Sequence, residues 1–208
     1  MRSLRRLSLA VLFLLPAACS STGGTWLGLF PAPKFLDGDI EDGVYTAEGG
    51  VFSVKVPYAE GSSNFRYLSI KEEQNELEWY VSFGPAVDQA IFRLNYVERM
   101  DGVPIQPFDE IAPIALGLYV SQLEQGYGAP TRPEAERAMT IGDTPAHYWK
   151  LAQTAPAGTY ANVDYELVHE VISMDLGTGF VSFCLQSSDA SAQGTARLEA
   201  FARSFTLL

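Results

Sequence analysis

Val44-Tyr-Thr-Ala-Glu-Gly-Gly-Val-Phe-Ser-Val-Lys-Val-Pro57 alternates β-forming and polar residues on both sides of Gly49-Gly50. Successive side chains of a strand face opposite ways, so a period of two marks a strand with one buried face. A Gly-Gly pair accepts the positive φ angles of a tight turn, and Pro57 cannot donate to a sheet ladder. The stretch reads as a hairpin of Val44–Glu48 with Val51–Val56.

The same period continues downstream. Asn64–Lys71 sets Phe65, Tyr67 and Ser69 opposite Arg66, Leu68 and Ile70. In Glu76–Phe83, Leu77, Trp79, Val81 and Phe83 share one face, and Glu76, Glu78 and Ser82 take the other. Gln89–Glu98 aligns Ala90, Phe92, Leu94 and Tyr96. Further strands are expected over Glu136–Ile141, Ala146–Gln153, Asp164–Met174 and Thr178–Gln186, with a hairpin turn at Asp175-Leu-Gly-Thr178. Helical spacing replaces the strand period twice. After a loop at 101–109, Glu110–Gln125 repeats apolar residues near three and four, with Asp109 placed to cap it and Gly126 to end it. Ala196–Ser204 closes the chain as an amphipathic helix turning Leu198, Phe201, Ala202 and Phe205 inward. Alternating strands joined by short turns predict the α+β class: a mostly antiparallel β-sheet covered by two principal helices.

This order resembles the PsbP-like and DcrB-like α/β/α sandwich superfamily. The resemblance is carried by Tyr45–Pro57, the mid-chain helix, the later hairpins and the ending Ala202-Arg-Ser-Phe-Thr-Leu-Leu208, and it covers residues 44–208. It implies a largely non-enzymatic accessory or binding protein, as in members that are exported or lipid-anchored. It brings no shared catalytic residues.

The N-terminus supplies an address. Met1–Cys19 carries Arg2, Arg5 and Arg6, an apolar run from Leu7 to Leu15, and Pro16-Ala17-Ala18-Cys19. The run is too short to span a bilayer, which needs ~20 apolar residues, and it has the flanks of a cleaved export signal. The small residues before Cys19 resemble a lipobox, although Pro16 stands where Leu is preferred. Residues 1–18 are therefore expected to be a lipoprotein signal peptide and Cys19 the lipidated residue. Several acyl chains on Cys19 would anchor the protein stably, since each buried methylene contributes ~0.8 kcal/mol. Ser20 rather than Asp follows the cysteine, which in similar lipoproteins favours the outer membrane, with the domain facing the periplasm.

Residues 19–43 read as the lipidated N-terminus and a flexible tether, and residues 44–208 as a single domain. Trp26, Leu27, Leu29 and Phe30 interrupt the tether and are expected to dock on the domain or lie at the membrane interface. Asp37, Asp39, Glu41 and Glu48 match calcium-loop positions, but Gly43 comes one place late and a strand follows, so the segment reads as solvated acidic tether.

Loss of three arginines with the signal would take the formal net charge from −11 to −14. That balance excludes nucleic acid, whose phosphates demand a basic footprint. With Cys19 lipidated, Cys184 has no disulfide partner. It lies in the apolar run Gly179–Gln186 and reads as an inert buried thiol. His147 shares a strand face with Trp149 and Leu151, and His169 with Tyr165, Leu167 and Val171, while Glu166 and Glu170 point the other way. Both histidines read as core residues. No nucleophile elbow, zinc-protease helix or phosphate loop is present, and no cofactor or metal is expected. The function expected is that of a non-catalytic, membrane-anchored envelope lipoprotein that binds a protein partner or a small ligand. The alternatives are an envelope hydrolase with a site near His147 and His169, and a toxin-neutralising immunity lipoprotein.

Overall fold

The computed structural model describes residues 38–58, 68–74, 78–85, 90–100, 107–157, 163–188 and 192–208. The signal, Cys19, the Trp26–Phe30 cluster, Asp37, residues 64–67 and the loop 101–106 lie outside them. Eleven strands and two α-helices form among the described residues. Strands β1 (Asp39–Glu41), β2 (Val44–Thr46), β3 (Phe52–Lys55) and β11 (Thr206–Leu207) make a small antiparallel sheet in the order β1-β2-β3-β11. The larger sheet runs β4 (Leu68–Gln74), β5 (Glu78–Pro85), β6 (Ile91–Glu98), β10 (Gly179–Ser187), β9 (Tyr165–Asp175), β8 (Thr144–Ala155), β7 (Thr131–Ile141), again antiparallel throughout. Helix α1 (Phe108–Tyr127) links β6 to β7, and α2 (Ala192–Arg203) follows β10. The expected α+β class is the observed one.

The Gly49-Gly50 hairpin forms, with Val44 opposite Lys55 and Thr46 opposite Ser53. Both glycines hold positive φ, at 76° and 68°. A correction falls just upstream. Asp39–Glu41, expected in the acidic tether, pairs with Val44–Thr46, so strand pairing begins five positions before the expected domain start at 44. The physical reason is Asp42-Gly43, whose φ angles of 48° and 73° suit a two-residue turn between twisted strands.

One face of the large sheet meets the small sheet and α2. The alternation in β5 and β6 settles this face: Trp79, Val81, Phe83, Phe92, Leu94 and Tyr96 are all buried. Tyr45 and Phe52 of the small sheet meet Phe83 and Tyr96 at centroid distances of 5.6 Å and 6.0 Å. Phe201 of α2 makes edge-on contacts with Phe83, Phe92 and Phe183. Each fully buried ring contributes ~2–3 kcal/mol of transfer free energy, and edge-on pairs add ~1 kcal/mol.

The opposite face is covered by α1. Crossing from β6, third in the sheet, to the far edge strand β7 carries this helix over β10, β9 and β8. Ala112 packs with Trp149, Val171 and Cys184, and Leu123 and Tyr127 pack with Ala155 and Leu167. The helix bounds differ from expectation. Asp109 lies in the first turn rather than at the cap, which is Pro107 without a side-chain cap bond. Gly126 stays helical, and Gly128 ends the helix at φ 66° with its N–H on the Glu124 carbonyl. A glycine two residues later offered the left-handed geometry, and Tyr127 gained burial by remaining in the helix. The Asp175–Thr178 turn forms as expected: Asp175 Oδ1 accepts from Gly177 N at 2.9 Å, and Arg99 grips both Asp175 oxygens at 3.1 Å.

Candidate functional site

The sheet face beneath α1 is polar where it approaches β5. Register aligns Tyr80 with Asn95, and Asn95 with Ser182. The next row holds Ser82, Arg93, Cys184 and Val171, and Gln186 pairs with His169 one row beyond. Helix α1 seats firmly over β9 and β8 but stands off β5 and β6. Between them lies a cavity of about 820 Å³, floored by Tyr80, Arg93, Asn95, Ser182 and Cys184 and roofed by Ala115, Leu118, Tyr119, Gln122 and Tyr127. That size suits a small-molecule site, for which ~300–1,000 Å³ is usual. Val97 and Phe180 line it near Glu78, and Leu118 is 65% exposed at its rim.

Among the described residues lining this groove, Arg93 is the cation. Its Nη2 donates to Gln186 Oε1 at 3.2 Å, and Gln186 Nε2 donates to the Tyr127 hydroxyl at 2.5 Å. Among the described residues no carboxylate pairs with Arg93. Burial works against its charge, but Tyr119, Tyr80, Cys184 and Tyr127 around it leave its pKa raised overall. The guanidinium stays protonated throughout the working pH range.

Three buried polar atoms line or flank the same space without a hydrogen bond: Tyr119 Oη, Asn95 Oδ1 and His169 Nδ1. Burying such a group unpaired costs ~1–3 kcal/mol, which makes the cluster a departure from ordinary core design. The Tyr119 hydroxyl lies near Arg93 and Cys184, and burial drives its pKa far above that of a free phenol. The Asn95 amide donates to Glu78 Oε1 at 3.0 Å, leaving its own oxygen unused.

The residues singled out in sequence fare differently. Cys184 is a buried free thiol, as expected. Burial pushes its pKa up to about 12 despite the opposing effects of Arg93 and Tyr119. Sequence proximity missed that cation because Arg93 sits directly across the strand pair. His169 is fully buried, its Nε2 3.1 Å from Gln153 Oε1, and burial followed by Arg93 lowers its pKa to about 4. His147 stacks on Trp149 at 4.3 Å and meets Glu136 Oε1 at 3.0 Å. The two histidines occupy one sheet face, because Leu151 pairs with His169. Four positions of β8 separate them, roughly 13 Å at the usual rise per residue, and Trp149 intervenes. They do not meet in one site. Glu170 faces the other side, where Tyr148 and Thr195 hydroxyls donate to its Oε2 at 2.6 Å and 2.5 Å. Asp39, Glu41 and Glu48 are exposed in β1 and the turn before β3.

No protein-family model and no curated protein sequence matches this chain. Solved structures do. Cyanobacterial PsbP (CyanoP) from Synechocystis aligns at TM-score 0.52 and 9% identity, over 79% of this chain and 91% of its own. A Bacteroides thetaiotaomicron crystal structure aligns at TM-score 0.46 and 12% identity over 81% of this chain, which spans 49% of that protein's length. The Saccharomyces cerevisiae Ran-binding protein Mog1p aligns at TM-score 0.48 and 10% identity, over 81% of this chain and 96% of its own. The similarity to CyanoP establishes a PsbP-like fold.

Proposed function

We propose that this protein is a lipid-anchored binding protein of the cell envelope, held at the membrane through Cys19 and taking up a small ligand between α1 and the large sheet. The groove itself carries this reading: a roofed space with a cation that pairs with no carboxylate among the described residues, beside several polar atoms without a hydrogen bond. Its chemistry supports binding rather than turnover. The Cys184 thiol is neutral at physiological pH, His169 is locked in the core, and His147 is engaged by Trp149 and Glu136. The lipobox Pro16–Cys19 and the acidic balance of the chain support an exported, membrane-tethered form, with the outer membrane as its site and an envelope protein as a partner.

Two measurements test it. Radiolabelled palmitate should enter the wild type and not Cys19→Ala, and the variant should leave the membrane fraction. Labelling that persists in Cys19→Ala would overturn the anchor. A thermal-shift and NMR screen of small amphipathic molecules should move resonances of Tyr80, Asn95 and Leu118. A screen that moves none of them would overturn the groove as a binding site.

A further inference from the structure

The groove's charge pattern narrows its ligand class, an inference that rests on the groove being a binding site. The geometry points to a singly charged organic carboxylate with an apolar body, its head on Arg93 and its body along the α1 rim. Arg93 offers one positive charge and no described carboxylate offsets it. Gln186 holds the guanidinium from one side, leaving other N–H groups for a ligand. The Tyr119 ring lines the same space, with its hydroxyl buried beside Arg93. A carboxylate fits this group, since a guanidinium fork gives charge-assisted hydrogen bonds to a planar anion.

A doubly charged phosphate fits less well. Arg93 is the one cation among the described lining residues, so a second negative charge finds no partner. Glu78 adds a carboxylate at the far end. A second negative charge would meet repulsion from Glu78. The apolar body has its own surface: Leu118 is 65% exposed, and Val97 and Phe180 continue the lining.

Decanoate, decanol, decyl phosphate and decyltrimethylammonium, titrated into the intact protein at pH 7 by calorimetry and NMR, test the inference. Decanoate should bind with Leu118 and Tyr119 resonances shifting. Decanol should bind about tenfold or more weakly, as expected for losing a hydrogen-bonded charge pair. Arg93→Gln should lose that preference, and Arg93→Lys should retain part of it. The comparison among ligands on the wild type stands even where Arg93→Gln fails to fold. Decanol equal to decanoate, or decyl phosphate preferred, would overturn the carboxylate while leaving the groove as a binding site. No shift at groove residues with any probe would overturn both.

Discussion

His169 shows how one side chain ties stability to pH. Its folded-state pKa of about 4 lies below the ordinary 6.5, because burial and then Arg93 disfavour the charged ring. Between these values the unfolded chain binds a proton that the folded chain refuses, so stability rises with pH through the window. The stability is intact above 6.5 and is lost as pH falls toward 4, by roughly 3 kcal/mol at most. Urea unfolding at pH 7 and pH 4 should show wild type losing more than His169→Gln by an amount of that order. Equal losses would mean His169 titrates normally. His169 was legible in sequence as a core residue, from its strand face. Arg93 was not, because a lone arginine between Phe92 and Leu94 reads as the solvated side of an alternating strand. Its meaning comes from Cys184 and Tyr119, distant in sequence and adjacent only through register and the helix crossing.

At the scale of elements, α1 is the part of the fold least determined by its own residues. Pro113 sits inside the helix and removes a backbone donor, and Gly117 and Gly126 add backbone freedom. Ile114 and Leu118 are 60% and 65% exposed, so the apolar spacing that revealed a helix did not reveal how much of it is covered. A Cβ at Gly117 meets nothing within 4 Å. Gly117→Ala should therefore stabilise the helix by about 0.5–1 kcal/mol and slow amide exchange across α1, with the sheet amides unchanged. A lower urea midpoint would show that the space above Gly117 is occupied. The strands were more legible than this helix. Trp79, Val81 and Phe83, like Phe92, Leu94 and Tyr96, fell on the buried face that their period demanded. No sequence period reports what covers the opposite face. Strands β1 and β11 escaped notice for another reason: at three and two residues they are too short for any period to show.

Across the whole molecule, α2 and the small sheet lock to the large sheet through rings. Phe201 is 3% exposed and touches strands β5, β6 and β10 through Phe83, Phe92 and Phe183. Phe201→Ala should cost about 3–5 kcal/mol, read as a drop in the urea midpoint, because the rings around it cannot collapse into the space left. A loss below about 1 kcal/mol would mean that the two layers are held elsewhere. This core lies on the side away from the groove, so the layer that sets stability and the layer that admits a ligand are separate. Substitutions under α1 can alter binding with little effect on the ring core.

Strand β7 brings a consequence of another kind. As the outermost strand it presents Arg132, Glu134, Glu136 and Arg137 to solvent, and Pro133 and a register shift interrupt its ladder. Charges and a proline along a sheet edge block strand addition from a neighbouring molecule. In the lipid-anchored form proposed above, neighbouring molecules would meet far more often than in free solution. The β7 border of the sheet would tolerate such neighbours while refusing to pair with them.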